Sequence, residues 1–429
     1  MSILQDHPQR YALANELHAR PFPALQAPCT ATFVALRQPG AAQNRDRGED
    51  RAHLIGLLDR AGADQPPPDA THYFGDIGHA RLKWESHTEF VTYTAFQHGA
   101  GSEPFDPAQF AALPADWMAR APGQRMTSLL IRVAFLPEDE GEVSAFLDRW
   151  FVAESLACAR VLDGAGIVAS DFRIDAAGHM RMAVFVKQGT GARRVGRIVQ
   201  RLCEVETYKA MSMLGLQQAR DLSARMAALE VRLSELVGGL GQEASAASTQ
   251  RTLDSLLAIA SELESLLAKS SFRFGATRAY EALVHQRIEV LRETRFHGRQ
   301  TLAEFMMRRF DPAMRTVRAA QRRLDDMAAR AARAGGLLGT RVDVERSAQN
   351  QALLASMDRR ADLQLKLQRT VEGLSVVAIS YYGVNLAANL VMPAAAPLGL
   401  ERMAVLAALT PVVVGAVWLL IRGIRRRIE

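Results

Sequence analysis

Residues 371–392, VEGLSVVAISYYGVNLAANLVM, and residues 403–421, MAVLAALTPVVVGAVWLLI, are the stretches that decide the fold. The first contains one charged residue, Glu372, at its edge, and the second contains none. An α-helix rises about 1.5 Å per residue, so these lengths match the hydrocarbon core of a bilayer, which is about 30 Å thick. The sequence therefore predicts two transmembrane helices, joined by the short connector PAAAPLGLER.

Positive charge flanks both outer ends of this hairpin. Residues 359–369 carry four basic side chains, whereas the connector has only Arg402. Because basic residues stay on the cytoplasmic side, this pattern places both termini in the cytoplasm and the connector outside. The alternative is a buried helical hairpin in the core of a soluble protein. The residues that set the topology at the C-terminal end are Arg422, Arg425, Arg426 and Arg427.

The first span has polar residues at helical spacing. Ser375, Tyr382, Asn385 and Asn389 are separated by 7, 3 and 4 residues, which places them on one helical face. We call this set the polar stripe. Polar side chains in lipid need partners, so the stripe is expected either to make hydrogen bonds within the hairpin or an oligomer, or to line a pore.

Residues 193–370 show no convincing strand pattern and are predicted to form a stalk or bundle of long helices. Glycines at 238–239 and 335–336 are expected to break these helices, and a further helix is expected to begin near Thr277. Apolar seams of this kind serve either a monomeric bundle or self-association. The three seams are Leu222, Met226, Leu229, Leu233 and Leu236; Leu253, Leu256, Ala260, Leu263 and Leu267; and Val317, Ala320, Leu324, Met327 and Ala331.

Residues 1–192 are predicted to form an α+β domain. Both halves follow the order strand, helix, strand, strand, strand, which suggests a duplicated βαβββ unit. The remaining segment, 371–429, is the transmembrane hairpin with its basic tail. The predicted strands are 30–38, 71–78, 81–85 and 89–96 in the first half, and 128–136, 157–163, 168–175 and 179–186 in the second.

Overall composition narrows the class of protein. The chain has 429 residues, 48% hydrophobic residues and a net charge of +6, which excludes wholesale disorder. Its 3 cysteines are far apart and fit a reducing compartment rather than a disulfide framework. Arginines on the central helices are interleaved with acidic residues, which favours a solvated surface over a nucleic-acid partner.

Residues with catalytic or metal-binding potential are few. His72, His79 and His87 lie on short predicted strands at spacings of 7 and 8 that do not predict convergence on a metal. The segment 187–194 contains glycines and arginines before a predicted helix, an arrangement that could hold an anion. It matches no phosphate-binding motif, so an ordinary strand-to-helix turn is favoured. We therefore expect no catalytic residues, no metal site and no cofactor.

Four segments are more specific than the rest of the chain. NELHARPF (15–22), LKWESHTEFVTYT (82–94), GRIVQRLCEVETYKAMSMLGL (196–216) and TVEGLSVVAISYYG (370–383) resemble a bacterial family of uncharacterised membrane-anchored proteins, built on a domain of unknown function. This resemblance implies anchoring in the bacterial inner membrane. It supplies no activity and no functional residues.

A weaker resemblance is to CorA-type divalent-cation channels, which share the order of cytoplasmic domain, long helices, two C-terminal spans and a basic tail. Their YGMN motif ends the first span, and this chain has Tyr382, Gly383, Val384 and Asn385 in that order. Only residues 371–382 precede Gly383, which is about 18 Å of helix and well short of the bilayer core. The connector also has only one acidic residue, Glu401.

The sequence as a whole predicts a non-enzymatic interaction or sensing module. It would be anchored in the inner membrane by its C-terminal hairpin and would self-associate through its helical seams. The alternative is a CorA-like channel, and only that alternative requires a divalent cation as partner.

Overall fold

The computed structural model describes residues 4–16, 22–40, 45–101, 103–240, 246–395 and 401–428. The chain divides into two compact units. One comprises residues 1–239 and 255–333, and the other comprises residues 240–254 and 334–429. The boundaries at 192 and 370 remain sequence-based predictions.

The first unit contains a mixed nine-stranded sheet in the order β2-β3-β4-β1-β5-β8-β7-β6-β9. Neighbouring strands are antiparallel except β5 and β8, which are parallel. The strands are β1 (Cys29–Arg37), β2 (His72–Asp76), β3 (Arg81–Ser86), β4 (Val91–His98), β5 (Gln124–Phe135), β6 (Ala157–Val161), β7 (Gly166–Ile174), β8 (Met180–Val186) and β9 (Thr294–Arg295). The first eight coincide with the strands expected from β-branched and aromatic runs.

Nine α-helices lie in the described part of the chain, together with two short 3-10 turns at Pro107–Ala112 and Ala153–Ser155. Four of the helices belong to the N-terminal region and five to the central and C-terminal regions. They are α1 (Arg10–Glu16), α2 (Arg47–Ala61), α3 (Ala115–Met118), α4 (Glu140–Trp150), α5 (Ala192–Gly239), α6 (Ala246–Leu291), α7 (Leu302–Arg309), α8 (Asp311–Ala395) and α9 (Arg402–Ile428). An α+β domain, long helices and two apolar C-terminal helices confirm the predicted fold class.

The two βαβββ halves share element order and sheet order but differ in strand direction. The strand next to β1 is the antiparallel β4, whereas the strand next to β5 is the parallel β8. The connections account for this difference. Residues 62–71 follow α2 and are long enough to return along the sheet before β2 begins, whereas only residues 151–156 separate α4 from β6.

The sheet is covered on both faces, because successive side chains of a strand point in opposite directions. On one face, α2 packs its leucines against Val34 and Tyr93, and α4 covers Leu130 and its neighbours in the same way. On the other face, α5 packs against Phe33, Leu129 and the β8 valines. The first unit is therefore a three-layer arrangement with the sheet in the middle.

Beyond the sheet, α5 continues into a helical bundle with α6, α7 and the first part of α8. Apolar residues of these helices form one buried cluster, and ion pairs such as Arg225–Glu262, at 2.7 Å, link their surfaces. The chain itself covers most of the predicted seam positions. The buried ones include Met226, Leu229, Leu233, Leu256, Leu263, Val317, Leu324, Met327 and Ala331.

Three predictions about the central region are wrong. The expected helix start at Thr277 lies inside α6, and the glycine pair 335–336 lies inside α8. A glycine costs a helix only about 1 kcal/mol relative to alanine, and burial of Ala331 and Leu338 outweighs that cost around Gly335. Burial of Phe274 and Val284 likewise keeps α6 continuous through Thr277. The strand β9 was missed because two residues carry no periodic pattern.

In the second unit, the C-terminal part of α8 contacts α9. Ser380, Val384 and Ala388 are buried, and an added Cβ at Gly383 would lie 3.0 Å from the Val413 side chain. Two helical segments, Leu302–Pro393 and Arg402–Gly423, contain windows long and apolar enough to cross a membrane. Only 17% and 6% of those windows is buried in the chain, which points to membrane association rather than a soluble core.

The contact between α5 and residues 22–25 yields a stability prediction. A Cβ at Gly196 would lie 1.6 Å from the carbonyl oxygen of Pro23, and the Leu25 amide donates to the Ala192 carbonyl at 3.0 Å. We expect Gly196→Ala to lower the free energy of unfolding by about 1–3 kcal/mol, because the backbone must move. Thermal unfolding of the full-length chain in detergent, followed by circular dichroism, measures this change.

Gly275→Ala is the matched control. Gly275 also lies within a helix, but no atom lies within 4 Å of its added Cβ. This substitution should raise stability by up to about 1 kcal/mol through helix propensity alone. Equal effects of the two substitutions would contradict the close approach of residues 22–25 to α5.

Candidate functional site

A cavity of about 260 Å³ lies between the sheet and α5 in the first unit. Its floor is formed by β3 and β4, where Lys83 pairs with Thr94 and Glu85 pairs with Thr92 across the strands. These four side chains share one face of the sheet because strand residues alternate. The roof and rim are Phe22, Pro23, Val199, Gln200, Arg201, Cys203, Glu204, Thr207, Tyr208 and Arg287.

Three of the four segments that carry the family resemblance meet at this cavity. Phe22 ends the first, residues 82–94 supply the floor, and residues 196–216 supply the roof. Glu16 is the last residue of α1, whereas residues 17–21 lie outside the described part of the chain. The sequence marked these segments as specific but gave no sign that they converge, because 117 residues separate Lys83 from its hydrogen-bond partner Gln200.

A polar network crosses the cavity from floor to roof. The Lys83 ammonium lies 3.1 Å from a Glu85 carboxylate oxygen and donates to the Gln200 side-chain oxygen at 2.9 Å. Gln200 in turn donates to Glu204 at 2.8 Å. The Lys83 side chain is only 6% exposed, and these polar partners offset the cost of removing it from water. The network therefore fixes the positions of charged groups that line the cavity.

Glu204 is the acceptor at the centre of the roof. Arg201 donates to it at 2.7 Å, and Arg287 of α6 donates to the same oxygen. Arg201 also lies over the Phe22 ring, 5.1 Å from its centroid. This cation–π contact holds the end of the N-terminal segment at the rim of the cavity.

A second, basic cavity of about 340 Å³ adjoins the first and shares Phe22 and Arg201 with it. Its other cationic residues are Arg194, Arg197 and Arg292. Arg292 pairs with Asp163 at 2.8 Å, whereas Arg197 is exposed and forms no ion pair with any residue that the structure describes. Arg194 belongs to the segment 187–194 and lies in the first turn of α5, beside this cavity.

A buried ion pair lies beneath a third cavity, which shares His87, Phe90 and Tyr208 with the first. The Glu89 carboxylate accepts hydrogen bonds from both terminal nitrogens of Arg273 and, at 3.1 Å, from the Tyr280 hydroxyl. Burial and the Glu89 charge raise the pKa of Tyr280, so the phenol remains a donor at neutral pH. These contacts tie α6 to the sheet, which is a structural role.

One thiol, that of Cys203, lines the first cavity, and its environment disfavours nucleophilic chemistry. Cys203 is buried, and desolvation raises the pKa of its thiol. Burial likewise raises the pKa values of Cys29 and Cys158 to about 12. Since the thiolate is the reactive form, none of the three cysteines is primed as a nucleophile. The arrangement of paired cations and carboxylates is suited to binding a charged molecule.

The histidines singled out in the sequence do not come together at the cavity. His87 lines it, stacked on Phe90 with ring centroids 4.4 Å apart, whereas His72 and His79 do not. Within the described ranges there is no group of three or more His, Cys, Asp or Glu residues that could hold a metal ion.

The polar stripe lies on the C-terminal part of α8. Ser375 donates to the Val371 carbonyl at 2.8 Å, and Asn385 donates to the Tyr381 carbonyl at 3.0 Å. A role of the stripe in a pore or in helix contacts remains a prediction. Of the four topology-setting residues, Arg422 lies over the Trp418 ring at 4.9 Å, and the side chains of Arg425, Arg426 and Arg427 lie outside the described part of the chain.

These features define an α+β protein with a charged cavity and two helices able to cross a membrane. The chain belongs to the family described as "Protein of unknown function (DUF3422)", whose model matches residues 5–428. This match confirms the family resemblance seen in the four segments. No curated protein and no solved structure matches the chain. The CorA-type resemblance gains no support from these comparisons.

The raised thiol pKa values predict low cysteine reactivity. In the native full-length protein, we expect the three thiols to react with an aromatic disulfide reagent at least about a hundredfold more slowly than in denaturant, because little thiolate forms at pH 8. Absorbance of the released thiolate measures the rate. A cysteine that reacts in the native state as fast as a free thiol would contradict the buried placement of that residue.

Proposed function

We propose that this protein is a membrane-anchored sensing module whose cytoplasmic α+β domain binds a small anionic molecule. The anionic character of the ligand is inferred from the charge around the two adjoining cavities. Six cationic side chains face three carboxylates there, an excess of three positive charges. The cations are Lys83, Arg194, Arg197, Arg201, Arg287 and Arg292, and the carboxylates belong to Glu85, Asp163 and Glu204.

The size and chemistry of the cavities support a small molecule. Volumes of about 260 and 340 Å³ fall at the lower end of the range for ligand pockets. Planar guanidinium groups bind carboxylate and phosphate oxygens in pairs, and Arg197 forms no ion pair among the described residues. The proposal is binding rather than catalysis, since the only thiol lining the first cavity is held protonated by burial.

The anchor is supported by the surface of the last two helices. Large apolar side chains such as Leu374, Val377 and Leu420 are exposed in the chain, and a bilayer would cover them. Basic residues on both outer flanks favour cytoplasmic termini in the bacterial inner membrane. The cavities would then face the cytoplasm.

Ligand binding is tested by the thermal unfolding midpoint of full-length protein with inorganic phosphate, pyrophosphate or citrate. A ligand that binds only the native state raises this midpoint. We expect at least one of the three probes to do so, and Arg197→Gln to abolish most of the shift.

Arg232→Gln is the control, because Arg232 is an exposed arginine on the same helix outside both cavities. It should leave the shift unchanged. The proposal fails if none of the three probes raises the midpoint, or if both substitutions reduce the shift equally.

Membrane anchoring is tested by fractionation and by reporters fused to each terminus. The wild-type chain should resist alkaline carbonate extraction, and both reporters should give a cytoplasmic signal.

Replacing the four topology-setting arginines by glutamine should expose part of the C-terminal population outside, because the charge bias is lost. The control replaces four arginines distant from the spans, namely Arg309, Arg315, Arg322 and Arg333. It should leave the C-terminus in the cytoplasm. Release of the wild-type chain by carbonate would overturn the anchor.

A further inference from the structure

One face of α8 is exposed over a length of about 54 Å, at about 1.5 Å per residue, apart from the half-buried Ser375 and Asn385. Eleven residues from Leu353 to Asn389 follow each other in steps of three or four, so that 36 residues are covered in ten steps. The mean step of 3.6 is one turn of an α-helix, which keeps all eleven on one side. This exposed α8 face consists of Leu353, Met357, Arg360, Gln364, Leu367, Val371, Ser375, Ala378, Tyr382, Asn385 and Asn389.

The first part of this face is apolar where water is expected. Leu353, Met357 and Leu367 precede the predicted span, and each is more than 60% exposed in the chain. The seams nearer the start of α8 are buried by α5 and α6, but residues 353–367 have no such cover in the described structure. Apolar side chains at helical spacing on an exposed helix are typical of an association surface.

The second part of the same face is polar where lipid is expected. Tyr382 and Asn389 are exposed within the span, and the structure describes no hydrogen bond for either side chain. Helix α9 does not cover them, because it packs on the other side of α8. Asn389 is nine residues from the buried Ser380, which places the two about half a turn apart around the helix.

The exposed α8 face thus presents apolar side chains at Leu353, Met357 and Leu367, where water is expected, and, at Tyr382 and Asn389, polar side chains unpaired in the described structure, where lipid is expected. Lipid cannot satisfy the polar groups of Tyr382 and Asn389, and a soluble partner cannot reach them. A partner that covers this face must present apolar side chains outside the membrane and polar side chains within it, along one continuous helix surface. A second copy of this chain in parallel orientation has such a face.

We propose that α8 forms a parallel homo-oligomer through the exposed α8 face, with the apolar part as a coiled coil and the polar part as hydrogen-bonded contacts within the bilayer. Arg360 and Gln364 fall in the apolar part, where polar residues fix the register of coiled coils. This interface rests on the proposed membrane anchor, since only an inserted hairpin holds the copies parallel.

Cysteine crosslinking in native membranes tests the interface with the full chain. Leu367→Cys places a thiol on the exposed α8 face, and Asp362→Cys places one on the far side of the same helix at an equally exposed position. With copper phenanthroline as oxidant, we expect disulfide-linked dimers from the first variant and at least about tenfold fewer from the second. The native cysteines are buried and serve as background.

The polar part is tested by energy transfer between labelled copies in vesicles. Asn389→Leu should weaken association by about fivefold to thirtyfold, the range for a hydrogen bond between helices in a membrane. Leu390→Ala, at an exposed position off this face, should have no comparable effect. Equal crosslinking of the two cysteine variants, or no loss with Asn389→Leu, would overturn the interface. Either outcome would leave the proposed membrane anchor standing, provided that the chain still resists carbonate extraction from the same membranes.

Discussion

Burial of one side of α5 against the sheet is the interaction on which the rest of the first unit depends. Val195, Ile198, Val199 and Leu202 pack against strands from both halves of the sheet. The same helix then supplies the roof of the cavity and continues into the bundle. Its approach is so close at Gly196 that the Pro23 carbonyl occupies the space of a side chain. A shift of α5 would therefore disturb the core, the cavity and the bundle together.

The packing of α5 on the sheet also buries a network of charged side chains, which lowers the stability gained from that packing. Lys83, Glu85 and Glu204 are largely removed from water, and desolvation of charges offsets much of the energy of pairing them. An apolar interface of the same shape would often be as stable. Charges retained there are consistent with a ligand-binding role. The excess of cationic groups distinguishes the two adjoining cavities from the balanced Glu89–Arg273 pair.

The sequence was most informative where a pattern is local. Strands β1 to β8 follow from runs of β-branched and aromatic residues, and the hairpin follows from apolar length. The parallel pairing of β5 with β8 was not predictable, because it depends on the path of residues 62–71 and 151–156. The cavity also escaped prediction, since its floor and roof come from segments more than 100 residues apart in the chain. The continuity of α8 through Gly335 was also not predictable, because it depends on burial of neighbouring residues and not on the helix propensity of glycine.

Helix α8 shows that the same helical period leads to different outcomes within one element. Met314, Val317 and Leu324 are buried because α5 and α6 supply apolar partners to that part of the helix. Leu353, Met357 and Leu367 have the same spacing and no such partner in the described chain. Periodicity alone therefore cannot separate a monomeric bundle from an oligomer. The polarity change near residue 371 is the basis of the proposed oligomer, because exposed apolar residues before the predicted span and exposed polar residues within it would both find partners on a second copy.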